Sequence, residues 1–315
     1  MNMARFVVQR MAAAIPVSVI VSLIVFSLLY VAPGDPASII AGDQASLDDI
    51  ERIRETLGLN KPFVLRYLDW LHHVCMGDLG SSIFTNLPVT VMIQQRLEPT
   101  VSLMILTIFL SVTIAIPLGI VAAWKKNTWV DLFVMGLAVT GFSTPVFVLG
   151  YLLAYLFALQ LNLLPVQGFS PISHGFFTFI RSLILPAGAL SFVYAALIAR
   201  ITRASMIDVL EQDYIRTAKA KGVGYRTLLF LHGLKNAAIP IATVIGIGFA
   251  TLIGGAVVTE SVFAIPGLGR LTIDAILRRD YPIIQGVVLL FSMLYVFINL
   301  CVDTLYIVFD PRVRI

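Results

Sequence analysis

Six long apolar runs punctuate the chain: Ala12–Val31, Val101–Ala123, Leu132–Phe157, Ser182–Ala199, Ala237–Val258 and Ile283–Cys301. None contains an Asp, Glu, Lys or Arg. Each is long enough to cross a hydrocarbon layer about 30 Å thick as a helix. Without water in that layer, every backbone N–H and C=O must be paired within its own segment, which selects helices. A membrane strand would alternate polar and apolar positions, and these runs do not. An all-α membrane protein with six transmembrane helices is therefore expected. The first run follows Arg5 and Arg10, as a signal peptide would, but its length favours a retained helix. The third is interrupted at Ser143-Thr144-Pro145, which predicts one kinked helix or a helix leading into a second short one.

Composition agrees with that pattern. Of 315 residues, 58% are hydrophobic and 13% are charged, against about 25% charged in soluble domains. Mean hydropathy is +0.92. A soluble enzyme, a DNA-binding module and a disordered scaffold are excluded.

The pI of about 9.1 would suit a nucleic-acid partner, but the placement of the charges explains it differently. With the N-terminus inside, the inner segments hold 13 basic residues: Arg5, Arg10, Lys125, Lys126, Arg200, Arg203, Arg216, Lys219, Lys221, Arg226, Lys235, Arg312 and Arg314. The short outer segments hold 4: Arg181, Arg270, Arg278 and Arg279. That bias predicts both termini on the cytoplasmic side. It is a topology signal, so no nucleic-acid partner is expected.

The segments between spans carry structure of their own. The outer loop 32–100 contains Ser46 followed by Asp49, a capping-box-like pair, with Asp48 in the same turn. Leu47, Ile50, Ile53 and Leu57 follow at helical spacing, and Gly58 stands where a left-handed cap belongs. Pro62 then predicts a second helix with Phe63, Tyr67, Trp70, Leu71 and Val74 on one face. Those aromatics suit the headgroup level or a partner protein, or they cover neighbouring transmembrane helices.

In the inner loop 200–236, Asp213-Tyr214-Ile215-Arg216-Thr217-Ala218-Lys219-Ala220-Lys221-Gly222 reads as a short helix. Asp213 would cap it, Lys219 and Lys221 would face the negative end of its dipole, and Gly222 would stop it. A second short helix from Tyr225 to about Lys235 would follow, before Asn236 and Pro240 lead into the fifth span. Such a knob suits docking to a cytoplasmic partner; a basic amphipathic helix lying on anionic lipid is the alternative.

The run D-Y-I-R-T-A-K-A-K-G, followed by His232, Asn236 and Pro240, resembles the cytoplasmic loop of ABC importer permeases. Arg216-Thr217-Ala218 stands where that family carries Glu-Ala-Ala, with Gly222 four residues beyond Ala218. The Arg-Thr variant is similar to the dipeptide/oligopeptide/nickel branch. Pro33-Gly34-Asp35-Pro36, Gly77-Asp78-Leu79-Gly80-Ser81-Ser82, the stretch Thr259 to Gly269, Arg279-Asp280-Tyr281-Pro282 and Asp310-Pro311-Arg312-Val313-Arg314 fit as well. The resemblance thus runs nearly the whole length of the chain. It implies a type I importer permease fold forming one domain over 1–315, in a bacterial inner membrane. The chain would be the first of two different permease subunits. The second would complete the pathway, two cytoplasmic ATPase subunits would power it, and an extracytoplasmic binding protein would deliver a peptide, a nickel chelate or glutathione. ATP and Mg would sit on the ATPase subunits and no cofactor on this chain. Asp213, Tyr214, Arg216, Thr217, Ala218, Lys219 and Gly222 would couple to an ATPase. Ser143, Pro145, Glu260, Pro266, Gly267 and Gly269 are the candidates for the pathway or for binding-protein contact.

Several chemistries are absent from the sequence. It contains no G-x-x-x-x-G-K-[ST], the loop that cradles nucleotide phosphates. His72, His73, His174 and His232 all lie outside the spans, so no intramembrane metal or general-base site is expected, and Ser143 has no His partner in a span. Ser143 and Thr144 would instead satisfy carbonyls freed beside Pro145. Glu260 is read as facing the pathway mouth or a partner, or as a carboxylate that reaches interfacial water and holds a turn; Asp303 is read as interfacial. Cys75 and Cys301 read as free thiols. An ion-coupled secondary transporter would place ionisable groups near the midplane, and the six runs hold none, so a subunit driven by partner ATPases is favoured.

Overall fold

Long helices account for most of the computed structural model, which describes residues 3–31, 36–41, 46–56 and 58–309. In chain order these are α1 (Met3–Val31), α2 (Pro36–Ala41), α3 (Leu47–Thr56), α4 (Phe63–Cys75), α5 (Val89–Trp124), α6 (Trp129–Ser143), α7 (Val146–Leu153), α8 (Phe176–Leu210), α9 (Asp213–Ala220), α10 (Tyr225–Thr227), α11 (Lys235–Val262), α12 (Leu268–Arg278) and α13 (Tyr281–Phe309). Two π-helical segments, Ala154–Gln160 and Leu228–Leu234, extend α7 and join α10 to α11. No β-strand occurs among the described residues, only an isolated bridge between Ser81 and Pro88. Residues 33–35 of the first outer motif, Leu57 and the terminal motif from Asp310 lie outside the described residues, as do the side chains of Asp49, Ile53 and Asp303.

Among the described residues, five helices are long and apolar enough to cross a membrane, and α6 with α7 makes a sixth span when the bent pair counts as one. The helices overrun their apolar windows. α5 starts at Val89 rather than 101, taking in Gln94, Gln95, Arg96 and Glu98, and α8 runs on to Leu210. Hydropathy marks where the bilayer is; Gln, Arg and Glu are good helix formers and let the coil continue into water. Likewise, no break separates the short helix expected at Tyr225 from the fifth span. The π-helical turn carries the chain into α11, and Pro240 is accommodated inside that helix.

The third apolar run is two helices bent by 104°. Thr144 is extended, with ψ 124°, as a residue before proline must be. Its hydroxyl donates to Thr140 O at 2.8 Å. Thr140 O also accepts Thr144 N–H at 3.1 Å, so it is not a carbonyl freed by Pro145, and Ser143 is exposed.

The chain divides into two compact units. One comprises 1–8, 98–270 and 297–315; the other comprises 9–97 and 271–296. The long outer segment forms helices with packing partners of its own, which is what sets the second unit apart. Within the first unit α8 is central, packing on α6, α7 and α11. Its most apolar window is 61% buried, against 33% or less in the other straight spans. Small residues permit the approach, as is usual between membrane helices. A Cβ at Gly119 would fall 2.6 Å from Thr202 Cβ, and one at Gly141 would fall 3.0 Å from Ala196 Cβ. Leu183, Leu190, Leu252, Phe263 and Ile265 fill the space between these helices.

Within the second unit, α4 lies on α1, and α2 packs on α3. Gly58 has φ +62°. The N–H groups of Gly58 and Leu59 bond to Glu55 O and Arg54 O, the left-handed termination that the sequence suggested.

Candidate functional site

The residues singled out by sequence gather into three places. The first is α9. Ile215 is its only buried residue and fixes it to the body of the first unit. Tyr214, Arg216, Thr217 and Lys219 are exposed, and Ala218 is half-buried. Asp213 is not the cap expected of it. Gln212 occupies the N-cap position without a side-chain bond, and Asp213 is the first helical residue, where its charge still favours the positive end of the dipole. Arg216 Nη1 lies 3.4 Å from Asp213 Oδ1, and Thr217 Oγ1 donates to Asp213 O. At the other end Gly222 has φ +78°. Gly222 N–H bonds to Lys219 O and Val223 N–H to Ala218 O, a complete C-terminal cap.

Three contacts hold this knob in place. Asn236 Nδ2 donates to Tyr214 Oη at 3.1 Å and to His232 O at 2.7 Å. All three residues carried the resemblance, and the Asn236–Tyr214 bond ties α9 to the base of α11. Lys126 Nζ meets Glu211 Oε1 at 2.6 Å. That bond first, and then the Lys126 charge, hold the Glu211 carboxyl below its usual range. Trp124 and Tyr225 are in ring contact at 5.9 Å. A cavity of about 180 Å³ lies between them, lined by Lys126, Glu211, Lys219 and Leu229.

Sequence reasoning missed the strongest polar contact of this region. Asp131, 4% exposed, accepts from Arg203 Nε at 2.5 Å and Nη2 at 2.6 Å. It also accepts from Asn127 N–H at 2.9 Å. The pair fastens the turn before α6 to α8. Its members are 72 residues apart, and Arg203 counts in the sequence only as one of the inner basic residues.

The second place is the break, where Ser143 and Pro145 are exposed. Ser143 lines a cavity of about 160 Å³ with Phe142, Ala196 and Arg200. The Arg200 guanidinium stands 5.7 Å from the Phe142 ring.

The third is the turn from α11 into α12. Glu260 does not reach interfacial water; it is fully buried. Its carboxylate accepts from Thr100 Oγ1 at 2.6 Å and Arg270 N–H at 3.0 Å, while Leu268 N–H donates to Thr100 Oγ1 at 2.8 Å. Glu260 and Thr100 together cap the first turn of α12, satisfying donors that the helix itself cannot. Gly267 and Gly269 are buried for the same reason. A Cβ at Gly267 would fall 2.2 Å from Glu260 Cδ, and one at Gly269 would fall 2.5 Å from Val257 Cα. Of the four residues proposed here for external contact, only Pro266 is exposed; the other three build the turn from within.

Two further motifs meet in the second unit. Ser82 Oγ donates to buried Asp280 Oδ2 at 2.5 Å, and Ile83 N–H donates to Asp280 Oδ1. The 77–82 and 279–282 stretches therefore form one structural latch, which nothing in the local sequence announces.

No group of three or more His, Cys, Asp or Glu that could hold a metal occurs among the described residues. Residues 115–315 match the family described as "Binding-protein-dependent transport system inner membrane component", and residues 3–104 match the N-terminal family of such membrane components. The chain is 50% identical over 312 residues to a "Probable peptide ABC transporter permease protein" of Sinorhizobium fredii, covering 99% of this chain and 100% of that one. It is 42% identical over 312 residues to a "Glutathione transport system permease protein" of Salmonella typhimurium, covering 99% of both. Among solved structures it is similar to a chain of the MetNI methionine ABC transporter in inward-facing form. That match has a TM-score of 0.57 at 15% identity, over 70% of this chain and 96% of that one; at this identity it bears on the fold alone.

Proposed function

This chain belongs to the family of binding-protein-dependent transport system inner membrane components, and from that premise we propose that it carries peptides across the membrane as one permease of an ATP-driven importer. It pairs with a second, homologous permease, of which it is the first, and two ATPase subunits dock on the side bearing α9. A binding protein delivers substrate to the opposite side. Both termini face the cytoplasm. The chain performs no chemistry itself: it presents a path, and nucleotide is bound and hydrolysed by its partners. The spans bring scattered hydroxyls and amides rather than charges to that path, which suits cargo of varied side chains. Glutathione is a second reading, favoured by the 42% identical relative whose name carries it.

One observation carries the coupling role. α9 is an eight-residue helix with a single buried anchor, exposed on its remaining faces, and with a left-handed stop at Gly222. A lipid-surface helix would need an apolar face directed outward, whereas Ile215 points in.

The experiment is a pair of variants in the assembled transporter. A Cβ at Gly222 meets nothing within 4 Å, so Gly222→Val acts through its left-handed backbone alone, at about 1 kcal/mol or more, and re-aims the knob. Ala218→Glu places a charge where a partner would close on the helix. Both should insert and pair with the second permease while peptide uptake falls sharply and ATPase subunits are lost on purification. Full uptake with full ATPase retention in both variants would remove α9 from the coupling role.

A further inference from the structure

The aromatics of α4 were expected at the headgroup level, against a partner protein, or covering a neighbouring transmembrane helix, and the structure shows the last of these. The neighbour is α1. Tyr67 Oη and Ser22 Oγ are hydrogen-bonded at 2.8 Å. Phe26 is buried within a cage of Phe63, Tyr67 and Trp70, with ring centroids 5.4 to 5.5 Å away. The Arg66 guanidinium stands 5.5 Å from the same ring. Ser22 lies nine residues before Val31, where the apolar run of α1 ends. At 1.5 Å per residue the Tyr67 hydroxyl therefore meets α1 about 13 Å inside the end of its span. A helix in free water has no reason to be at that level.

The opposite side of α4 is also apolar. Val64, Leu65 and Leu68 are 63%, 55% and 53% exposed, and Cys75 is exposed with them. Polar groups occupy the rest of the circumference, and exposed His72, four residues beyond Leu68, ends the apolar stripe. Lys61 Nζ bonds to Asp69 Oδ2 at 2.8 Å, and His73 Nδ1 is bonded to Asp69 O. Ile20, Leu23, Ile24 and Leu28 of α1 are exposed too; they belong to a membrane span, so lipid is their solvent. The tyrosine hydroxyl of α4 has found a partner inside the protein, as a polar group in hydrocarbon must.

We propose that α4 is a membrane-embedded interfacial helix, its Val64, Leu65 and Leu68 arc immersed in lipid acyl chains and its Lys61 and Asp69 edge at the headgroups. A helix with one apolar and one charged side lies in that boundary by burying the apolar side. Lipid, rather than a protein, is the occupant because the Ser22–Tyr67 bond and the Phe26 cage hold α4 against a membrane span at a level inside that span's outer end.

The test is accessibility in lipid nanodiscs with the whole transporter assembled, after replacing Cys75 and Cys301 with Ser. Nitroxide labels at Val64→Cys and Leu68→Cys should be relaxed by dissolved oxygen and shielded from a water-soluble nickel chelate; at Lys61→Cys and Asp69→Cys the order should reverse. For variants that fail to assemble, the chain with α4 unaltered and Trp70 as sole tryptophan (Trp124→Phe, Trp129→Phe) should be quenched by lipids brominated near the headgroup end of the acyl chain. Chelate access at 64 and 68 equal to that at 61 and 69, or no brominated-lipid quenching of Trp70, would overturn the proposal. Shielding of 64 and 68 from both relaxants would also overturn it, showing that a protein covers the arc.

Discussion

Removing the Arg203 guanidinium tests how the turn before α6 is held. The Arg203–Asp131 pair is bidentate at 2.5 and 2.6 Å, with the carboxylate 4% and the guanidinium side chain 24% exposed. Leaving a buried carboxylate without its cation costs about 3–5 kcal/mol. Water can reach the guanidinium side of this pair, so Arg203→Met should lie at the lower end, about 3 kcal/mol. Asp131→Asn with Arg203→Met leaves no unpaired charge and retains an acceptor for Asn127 N–H. The double variant should lose only the net worth of the bonds, about 1 kcal/mol. The single variant should therefore be the less stable by about 2 kcal/mol. Denaturant unfolding of the purified transporter, followed by tryptophan fluorescence, reads this difference; Trp124 and Trp129 flank the pair in sequence. If Arg203→Met is as stable as the double variant within about 0.5 kcal/mol, the pair does not hold the turn.

Gly267→Ala and Gly269→Ala should each lower thermal stability by about 1–3 kcal/mol. Their rescue should differ: Glu260→Ala removes the obstacle to the first, whereas Val257 Cα, a backbone atom 2.5 Å from the second Cβ, stays. Equal rescue in melting experiments would contradict that assignment. Cysteine placed at Lys219 should resist a membrane-impermeant maleimide in intact cells and react in inverted vesicles; rapid reaction in intact cells would reverse the topology. The Glu211 carboxyl, held below its usual 4.5 by Lys126, stays charged between about pH 8 and about pH 5. Its ion pair contributes above its unfolded value and is lost only as pH falls through the lowered folded value. Protease access to the 211–224 segment should therefore be flat over that interval, and a transition near neutrality would point to another group.

Local chemistry was legible in the sequence. The spans follow from charge-free runs, the 104° bend from a proline and the residue before it, and the stops at Gly58 and Gly222 from a residue without Cβ placed after a helical period. What was not legible is contact across distance. Thr100 and Glu260 are 160 residues apart, and Ser82 and Asp280 are 198 apart. In each, a polar side chain near a turn looks solvated until its distant partner is known. Glu260 holds the turn, as one reading of the sequence had it, but from a buried position rather than from water, and Gly267 and Gly269 mark how closely the turn closes over it. Helix ends were short in the sequence reading because hydrophobicity reports solvent rather than conformation, as Gln94 to Glu98 at the start of α5 illustrate.

In the proposed role, this chain moves peptide only when partner ATPases act on it. The direct measurement is uptake of a labelled peptide into proteoliposomes that contain the chain, the second permease and the ATPases, with the binding protein outside and ATP inside. Uptake should require both ATP and binding protein and should fall sharply in Gly222→Val. Uptake by this chain alone, following a proton or sodium gradient without ATP, would contradict it.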